Sequence, residues 1–125
     1  MVAYSFQKRF APKIVDGSKR QTIRGQRKRH ARPGEMLQLF TGMRTVHCQK
    51  IIPDVRCLGA DPIRIEFDLE GNIAAIEVCG AAIDDLDTFA VADGFEASFD
   101  MAGFWVMQHG LIRTFRGTLI TWDVV

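Results

Sequence analysis

The sequence is poor in the features that mark secreted, metal-binding and membrane proteins. Its 125 residues include three cysteines, and Cys48, Cys57 and Cys79 form no C-x-x-C pair. Such an odd, widely spaced set indicates neither a disulfide framework nor a zinc finger. No apolar run approaches the roughly 20 residues of a transmembrane helix, and Lys8 and Arg9 come too early for a signal peptide. We therefore expect a cytoplasmic protein without a metal site or a cofactor.

Internal repeats and low-complexity linkers are absent too, so we interpret residues 1–125 as a single domain. Hydrophobic residues make up 47% of the chain and charged residues 25%. This balance is typical of a globular protein, and it excludes a disordered or collagen-like chain.

The net charge is only +1, but the charges are unevenly distributed. Residues 1–56 contain 13 basic and three acidic side chains, whereas residues 57–125 contain three basic and 12 acidic ones. Ten of the basic side chains fall within residues 8–32. This asymmetry predicts an anionic partner for the basic part, unless the acidic part folds back and neutralises it.

Hydrophobic periodicity predicts five or six short strands and two or three helices. Helices are expected at residues 10–16, 84–92 and 95–108, and strands at residues 21–24, 36–40, 46–52, 63–67, 73–78 and 118–124. Residues 25–32 are too polar and basic to be buried and are expected to form a loop, followed by a turn at 33–35. Strands and helices do not alternate regularly, so the pattern predicts a small, mostly antiparallel α+β domain and favours a barrel.

Two motifs point to a family. Residues 17–24 read Gly-Ser-Lys-Arg-Gln-Thr-Ile-Arg, a G-x-K-x-x-T-x-R pattern, and Pro33-Gly34-Glu35 follows. The second motif is Ala-Val-Ala-Asp-Gly-Phe at residues 90–95, leading to Phe104-Trp105. In this order the motifs resemble an ASCH domain, a member of the PUA-like superfamily, over roughly residues 5–105.

The resemblance implies a small β-barrel flanked by helices, with a cleft lined by the Lys, Thr, Arg and acidic positions. Members of the family are proposed to bind RNA, and some small bacterial ones resemble amidohydrolases that act on N4-acetylcytidine. Similarity to these amidohydrolases would make Thr22 the nucleophile, Lys19 its general base and Asp93 the acidic partner. They carry Glu where this chain has Asp93.

The residues of the first motif support a polar cleft on their own. Side chains alternate along a strand, so Arg20, Thr22 and Arg24 share one face and Ile23 faces the core. Lys19 can join that cleft only if the Gly17-Ser18 turn places it just before the strand. A threonine hydroxyl needs an adjacent base to act as a nucleophile, and a lysine serves as that base only if burial or like charge lowers its pKa.

Other interpretations of these residues remain open. Lys19 and Arg24 could simply bind a phosphate or a carboxylate, with Thr22 as a hydrogen-bond donor. Asp93 lies three residues before Glu96, as in a capping box, so the start of the following helix would also explain its carboxylate.

The basic loop is a candidate rim of the cleft. Arg27, Lys28 and Arg29 could contact phosphates, in a salt-sensitive manner without sequence preference, or could simply be solvated. We expect His30 to be solvated and Trp105 to belong to the core.

Three hypotheses follow. In the first, an ASCH module binds RNA or a nucleotide-like ligand in the cleft. In the second, the same cleft hydrolyses an amide of a modified nucleoside. In the third, the chain is an accessory protein with a vestigial cleft, which would show neither binding nor turnover.

Overall fold

The computed structural model describes residues 1–124, which form eight strands and three helices in an α+β fold. The strands are β1 (Val2–Phe6), β2 (Gln21–Arg24), β3 (Met36–Thr41), β4 (Gln49–Lys50), β5 (Val55–Phe67), β6 (Ile73–Val78), β7 (Ala81–Ala82) and β8 (Thr114–Trp122). The helices are α1 (Ala11–Val15), which follows a 3-10 turn at Lys8–Phe10, then α2 (Leu86–Ala92) and α3 (Ser98–His109). The predicted α+β class is confirmed.

The strands form one mixed sheet around the long strand β5, which pairs with β3, β6 and β8. β8 also pairs with β2, and β3 pairs in parallel with β1. β1 and β2 thus lie at two ends of the sheet, and within residues 1–124 no ladder joins them, so the sheet is not closed. A barrel is therefore not confirmed. The gap between β1 and β2 is the part of the fold in which the candidate site lies.

The core follows the two-residue period of the strands, because alternate side chains point to one face of a sheet. Every second residue of β1, of β3 and of the second half of β5 is buried. These residues are Val2, Tyr4, Phe6, Leu37, Leu39, Thr41, Ile63, Ile65 and Phe67. Met101, Ala102 and Trp105 of α3 pack on the same core. None of the helices in residues 1–124 is long and apolar enough to cross a membrane.

The predicted strand at residues 46–52 is wrong. Only Gln49–Lys50 pairs with β3, and the side chain of Val46 is 95% exposed. The chain turns before this segment, where Gly42 and Arg44 both have positive φ angles. β3 pairs with β1 from Leu37 to Thr41 and, at Met36 and Leu37, with the start of β5. β5 extends back from the predicted 63–67 to Val55.

Other elements also differ from the sequence pattern, and among them β8 begins at Thr114 where residue 118 was predicted. β1 was not predicted, because Phe6 and Phe10 match a helical spacing that masks the alternation of Val2, Tyr4 and Phe6. α3 begins at Ser98, three residues after the predicted start, so Phe95 packs in the core ahead of the helix.

Candidate functional site

A cavity of about 310 Å³ opens in the gap between β1 and β2. We name it the β1/β2 cavity. Its walls come from the ends of β1 and β2, from α3 and from the first part of β8, and they combine aromatic with charged side chains. The lining residues include Ser5, Phe6, Phe10, Lys19, Thr22, Arg24, Asp93, Phe95, Phe104, Trp105, Gln108, His109 and Phe115. The volume lies at the small end of the range for ligand pockets, which suits one small molecule or one nucleoside.

Lys19 is buried in this cavity, with only 3% of its surface exposed. Gly17, with φ +83°, makes the turn that brings it there, and the backbone N–H of Lys19 donates to the carbonyl of Lys13. Its ammonium donates to the backbone carbonyl of Gln21 at 2.7 Å and to that of Asp93. The turn thus places Lys19 just before β2, as the sequence required for a role in the cleft.

Asp93 faces Lys19 from the end of α2. Its carboxylate lies 3.6 Å from the Lys19 ammonium and accepts a 3.4 Å hydrogen bond from the Gln21 amide. It does not cap α3, since the N–H of Ser98 at the start of that helix donates to Asp87. The capping interpretation of Asp93 is therefore wrong. Burial raises the pKa of Asp93, while burial lowers the pKa of Lys19, because each charged form loses hydration.

Thr22 and Arg24 form the second polar contact of the cavity. The Nε of Arg24 donates to the buried hydroxyl oxygen of Thr22 at 3.0 Å, and its Nη2 donates to the carbonyl of Ser5 at 2.6 Å. The guanidinium lies over the rings of Phe6 and Tyr4, 4.7 and 5.3 Å from the ring centres. Burial lowers the pKa of Arg24 to about 10, so Arg24 remains a cation at neutral pH.

Arg20 is the motif residue that the structure does not bring into the β1/β2 cavity. It is exposed and lines a separate depression with Ser18 and Leu58. Its carbonyl accepts from the N–H of Trp122, so its backbone already runs beside β8. Three of the four candidate positions of the motif, Lys19, Thr22 and Arg24, therefore meet at one site.

The basic loop is only partly directed toward this site. Arg27 lies over the ring of Tyr4 at 5.0 Å and donates to the carbonyl of Ala3 at 3.3 Å. Arg29 forms an ion pair with Glu35, and Lys28 is exposed. None of Arg27, Lys28 and Arg29 lines the β1/β2 cavity, and Gly25 is the loop residue that does.

His30 fastens the loop to β1, so the prediction that it is solvated is wrong. Its ring stacks on Tyr4 with 6.0 Å between ring centres. The Tyr4 hydroxyl accepts from the N–H of Ala31 and lies 2.9 Å from His30 Nδ1, while Nε2 lies 2.8 Å from the carbonyl of Gly25. Both ring nitrogens of His30 thus have hydrogen-bond partners within the protein.

The aromatic wall at the end of α3 was not predicted as part of a site. Trp105 is buried, as expected of a core residue, but it also lines the cavity. His109 stacks on Trp105 at 4.8 Å, and Phe115 contacts Trp105 at 4.3 Å between ring centres. One sequence feature could have indicated this wall: the polar pair Gln108-His109 follows Trp105 by one helical turn, so polar side chains lie next to a buried aromatic residue.

The site therefore offers three kinds of interaction. Aromatic faces can stack on a flat ring, Arg24 can hold a carbonyl or an anion, and Thr22 supplies a hydroxyl that contacts Arg24. In the described part of the chain, no group of three His, Cys, Asp or Glu residues is placed to hold a metal ion. Comparisons of the chain with protein-family models, curated proteins and solved structures give no match. The ASCH resemblance therefore rests on the motif residues alone.

Proposed function

We propose that this chain is an ASCH-like protein that binds one nucleoside unit of RNA, or a nucleotide-like ligand, in the β1/β2 cavity. The observation that carries the proposal is the meeting of two cations, the buried Lys19 and the half-buried Arg24, with aromatic walls in a cavity of about 310 Å³. Proteins that bind single-stranded nucleic acid combine these elements, with bases stacked on aromatic rings and cations beside the backbone.

The polar groups fit the edge of a base or sugar. Arg24 keeps donors on a planar guanidinium that is oriented by Thr22 and by the carbonyl of Ser5. Because this geometry is already fixed, a ligand carbonyl or anion meets a preorganised cation and little side-chain entropy is lost on binding.

The proposal includes the PUA-like barrel. Side chains from the β2 end of the sheet reach carbonyls of β1, from Arg24 to Ser5 and from Arg27 to Ala3. These contacts span the gap that the strand ladders leave open, which supports an interpretation of the sheet as a barrel completed by arginine side chains. We also propose a cytoplasmic location, where RNA and free nucleosides are present.

Calorimetric titration with nucleosides and short single-stranded RNA tests the binding function. We expect wild-type protein to bind, and Arg24→Met to lower the affinity by about tenfold or more, since it removes charge-assisted hydrogen bonds. Arg56→Met is the matched control, because Arg56 is an exposed arginine of β5 that does not line the cavity. The proposal is wrong if no nucleoside or RNA binds, or if Arg24→Met binds as tightly as Arg56→Met.

The second candidate is an amidohydrolase in the same cavity, favoured by the lowered pKa of the buried Lys19 amine beside Thr22. The Thr22 Oγ would attack the acetyl carbonyl of N4-acetylcytidine while Lys19 takes the hydroxyl proton, and the C–N4 bond would break as N4 accepts that proton, which releases cytidine. Water would then hydrolyse the acetyl-threonine ester to acetate and restore Thr22. Arg24 donates to the Thr22 oxygen, so the hydroxyl proton is free to move to a base. However, Lys19 donates to backbone carbonyls, and in residues 1–124 no hydrogen bond joins it to Thr22, which is why binding stands first.

Turnover separates the two candidates. Incubation with N4-acetylcytidine, followed by chromatography, would show cytidine if the cavity is catalytic. In that case Thr22→Val would abolish turnover while still binding the nucleoside, whereas Arg56→Met would keep full activity. Binding without turnover by wild-type protein would remove the amidohydrolase.

A further inference from the structure

A second, smaller cavity of about 170 Å³ begins, along the chain, at the residue after Gly25, which lines the β1/β2 cavity. It is lined by Gln26, Arg27, His30, Arg116, Gly117 and Thr118. We propose that it is a phosphate subsite, and that it takes the phosphodiester next to the nucleoside held in the β1/β2 cavity. The inference rests on the proposed function and deepens it, because it makes the ligand a nucleotide within a strand rather than a free nucleoside.

The two cavities are neighbours along the chain. Arg24 and Gly25 line the first, and Gln26 and Arg27 line the second. Gly25 is exposed, and the position of its missing Cβ has open space around it. No side chain at position 25 would therefore obstruct a ligand that extends from the first cavity toward the second.

The charges of the second cavity are unbalanced. Arg27 and Arg116 both line it, whereas no Asp or Glu does. Arg64, the cross-strand neighbour of Arg116, is engaged by Glu66 and Glu77. Within residues 1–124 neither Arg27 nor Arg116 has a carboxylate partner. Two arginines that share a cavity without an acid suit a phosphate, which accepts parallel hydrogen bonds from guanidinium groups.

The cavity is also held in shape before any ligand binds. Arg27 is oriented by the carbonyl of Ala3 and by the ring of Tyr4. Both ring nitrogens of His30 are used, at Tyr4 and at Gly25, so His30 positions the loop and does not contact the phosphate as a donor. A solvated loop would not require these contacts.

On the β8 side, the cavity depends on Gly117. A Cβ at this position would lie 2.4 Å from the carbonyl oxygen of Arg24. Glycine thus allows the end of β2 to approach β8. The cavity is lined both by Arg116 of β8 and by Arg27 of the loop that follows β2.

The test compares a nucleoside, its 3′- and 5′-monophosphates and a dinucleoside monophosphate by calorimetry. In wild-type protein we expect the phosphodiester to raise affinity over the nucleoside by about tenfold. Arg116→Gln should lose most of that gain and leave nucleoside affinity unchanged. Arg113→Gln removes one exposed arginine that lines neither cavity, and should behave as wild type. Thermal unfolding of both variants confirms that they are folded.

The outcomes separate the subsite from the proposed function. If nucleosides bind but a phosphate adds no affinity, or if Arg116→Gln keeps the gain, the subsite is wrong and the nucleoside site survives. If no nucleoside binds, the proposed function fails. A separate titration with inorganic phosphate, followed by the NMR signals of Arg27 and Arg116 Nε–H, then reports on the subsite alone. If the Nε–H signals of both arginines stay unchanged with every phosphate compound, the phosphate subsite is wrong.

Discussion

Lys19 and Asp93 are the residues on which the candidate site depends most, because both are ionisable and both are buried. The Lys19 ammonium nitrogen and a carboxylate oxygen of Asp93 lie 3.6 Å apart. Removing one partner of a buried ion pair leaves the other without compensation, which usually costs about 3–5 kcal/mol. Substitutions of this pair therefore test, by their effect on stability, whether the cavity interior is as buried as the structure shows, and no ligand is needed.

We expect Lys19→Met to lower the free energy of unfolding by about 3–5 kcal/mol, since Asp93 would stay buried without its cation. Chemical denaturation measures this value. The double variant Lys19→Met/Asp93→Asn should recover much of the loss, because an amide at position 93 carries no charge. A single variant as stable as wild type would mean that Asp93 is solvated or protonated at neutral pH.

The pKa of Asp93 gives a prediction with a definite sign. Burial raises this pKa in the folded protein above its ordinary value of 3.8, so between the two values the folded state binds more protons than the unfolded state. The stability of wild type relative to Asp93→Asn should therefore fall as pH rises from about 3.8 through the folded pKa. Denaturation of both proteins at a series of pH values checks this, and a relative stability that rises over that range would contradict it.

Sequence motifs identified the polar half of the site and missed the aromatic half. Lys19, Thr22 and Arg24 occur in a short pattern whose spacing the turn and β2 preserve. Trp105 and His109 could not be assigned in this way, because an aromatic residue on the buried face of a helix has the same periodicity whether it packs in a core or lines a cavity. Only the tertiary structure brings them to β1 and β2.

At the scale of the elements, the hairpin of β5 and β6 was predictable and the gap between β1 and β2 was not. Ile63, Ile65 and Phe67 alternate with polar residues, and the turn at Gly71 follows, so local sequence determines the hairpin. β1 pairs with β3 in parallel, across more than 30 intervening residues. Such long-range pairing leaves little signal in the local sequence. The apolar residues at 46–52 indicated a long strand, of which only Gln49–Lys50 forms.

Gly117 offers a test of how closely β2 and β8 must approach. A methyl group there would lie 2.4 Å from the backbone oxygen of Arg24, and backbone cannot move aside as a flexible side chain can. We expect Gly117→Ala to lower the unfolding temperature and to weaken nucleotide binding together. Gly103→Ala is the matched control, since Gly103 lies in α3 with open space around it, and it should raise stability by about 0.5–1 kcal/mol. Equal stability of Gly117→Ala and wild type would contradict the close approach.

At the scale of the whole molecule, the acidic part of the chain does not neutralise the basic part. Arg9 with Asp100 and Lys19 with Asp93 are the ion pairs that join residues 1–56 to the rest of the described chain. Arg29 pairs instead with Glu35 in its own part, and Arg64 with Glu77 in the other. Arg27 thus has no carboxylate partner in residues 1–124, as the proposed phosphate subsite requires.

We therefore expect salt to distinguish the two parts of the ligand. Affinity for a short single-stranded RNA should fall as salt rises, with a slope of log K against log salt of about −0.7 for each phosphate contacted. Affinity for the uncharged nucleoside should change little. Titrations at several salt concentrations measure both slopes, and equal slopes would show that the bound part of the RNA does not include a phosphate.

The central claim is that the β1/β2 cavity binds a nucleoside unit, and one NMR titration tests it most directly. A ¹H–¹⁵N spectrum of the intact chain is recorded while a set of nucleosides and a short RNA are added. The account predicts concentration-dependent shifts of the Lys19, Thr22 and Arg24 amides and of the Trp105 indole N–H. Shifts that are absent, or that fall on the β5–β6 hairpin instead, would contradict it.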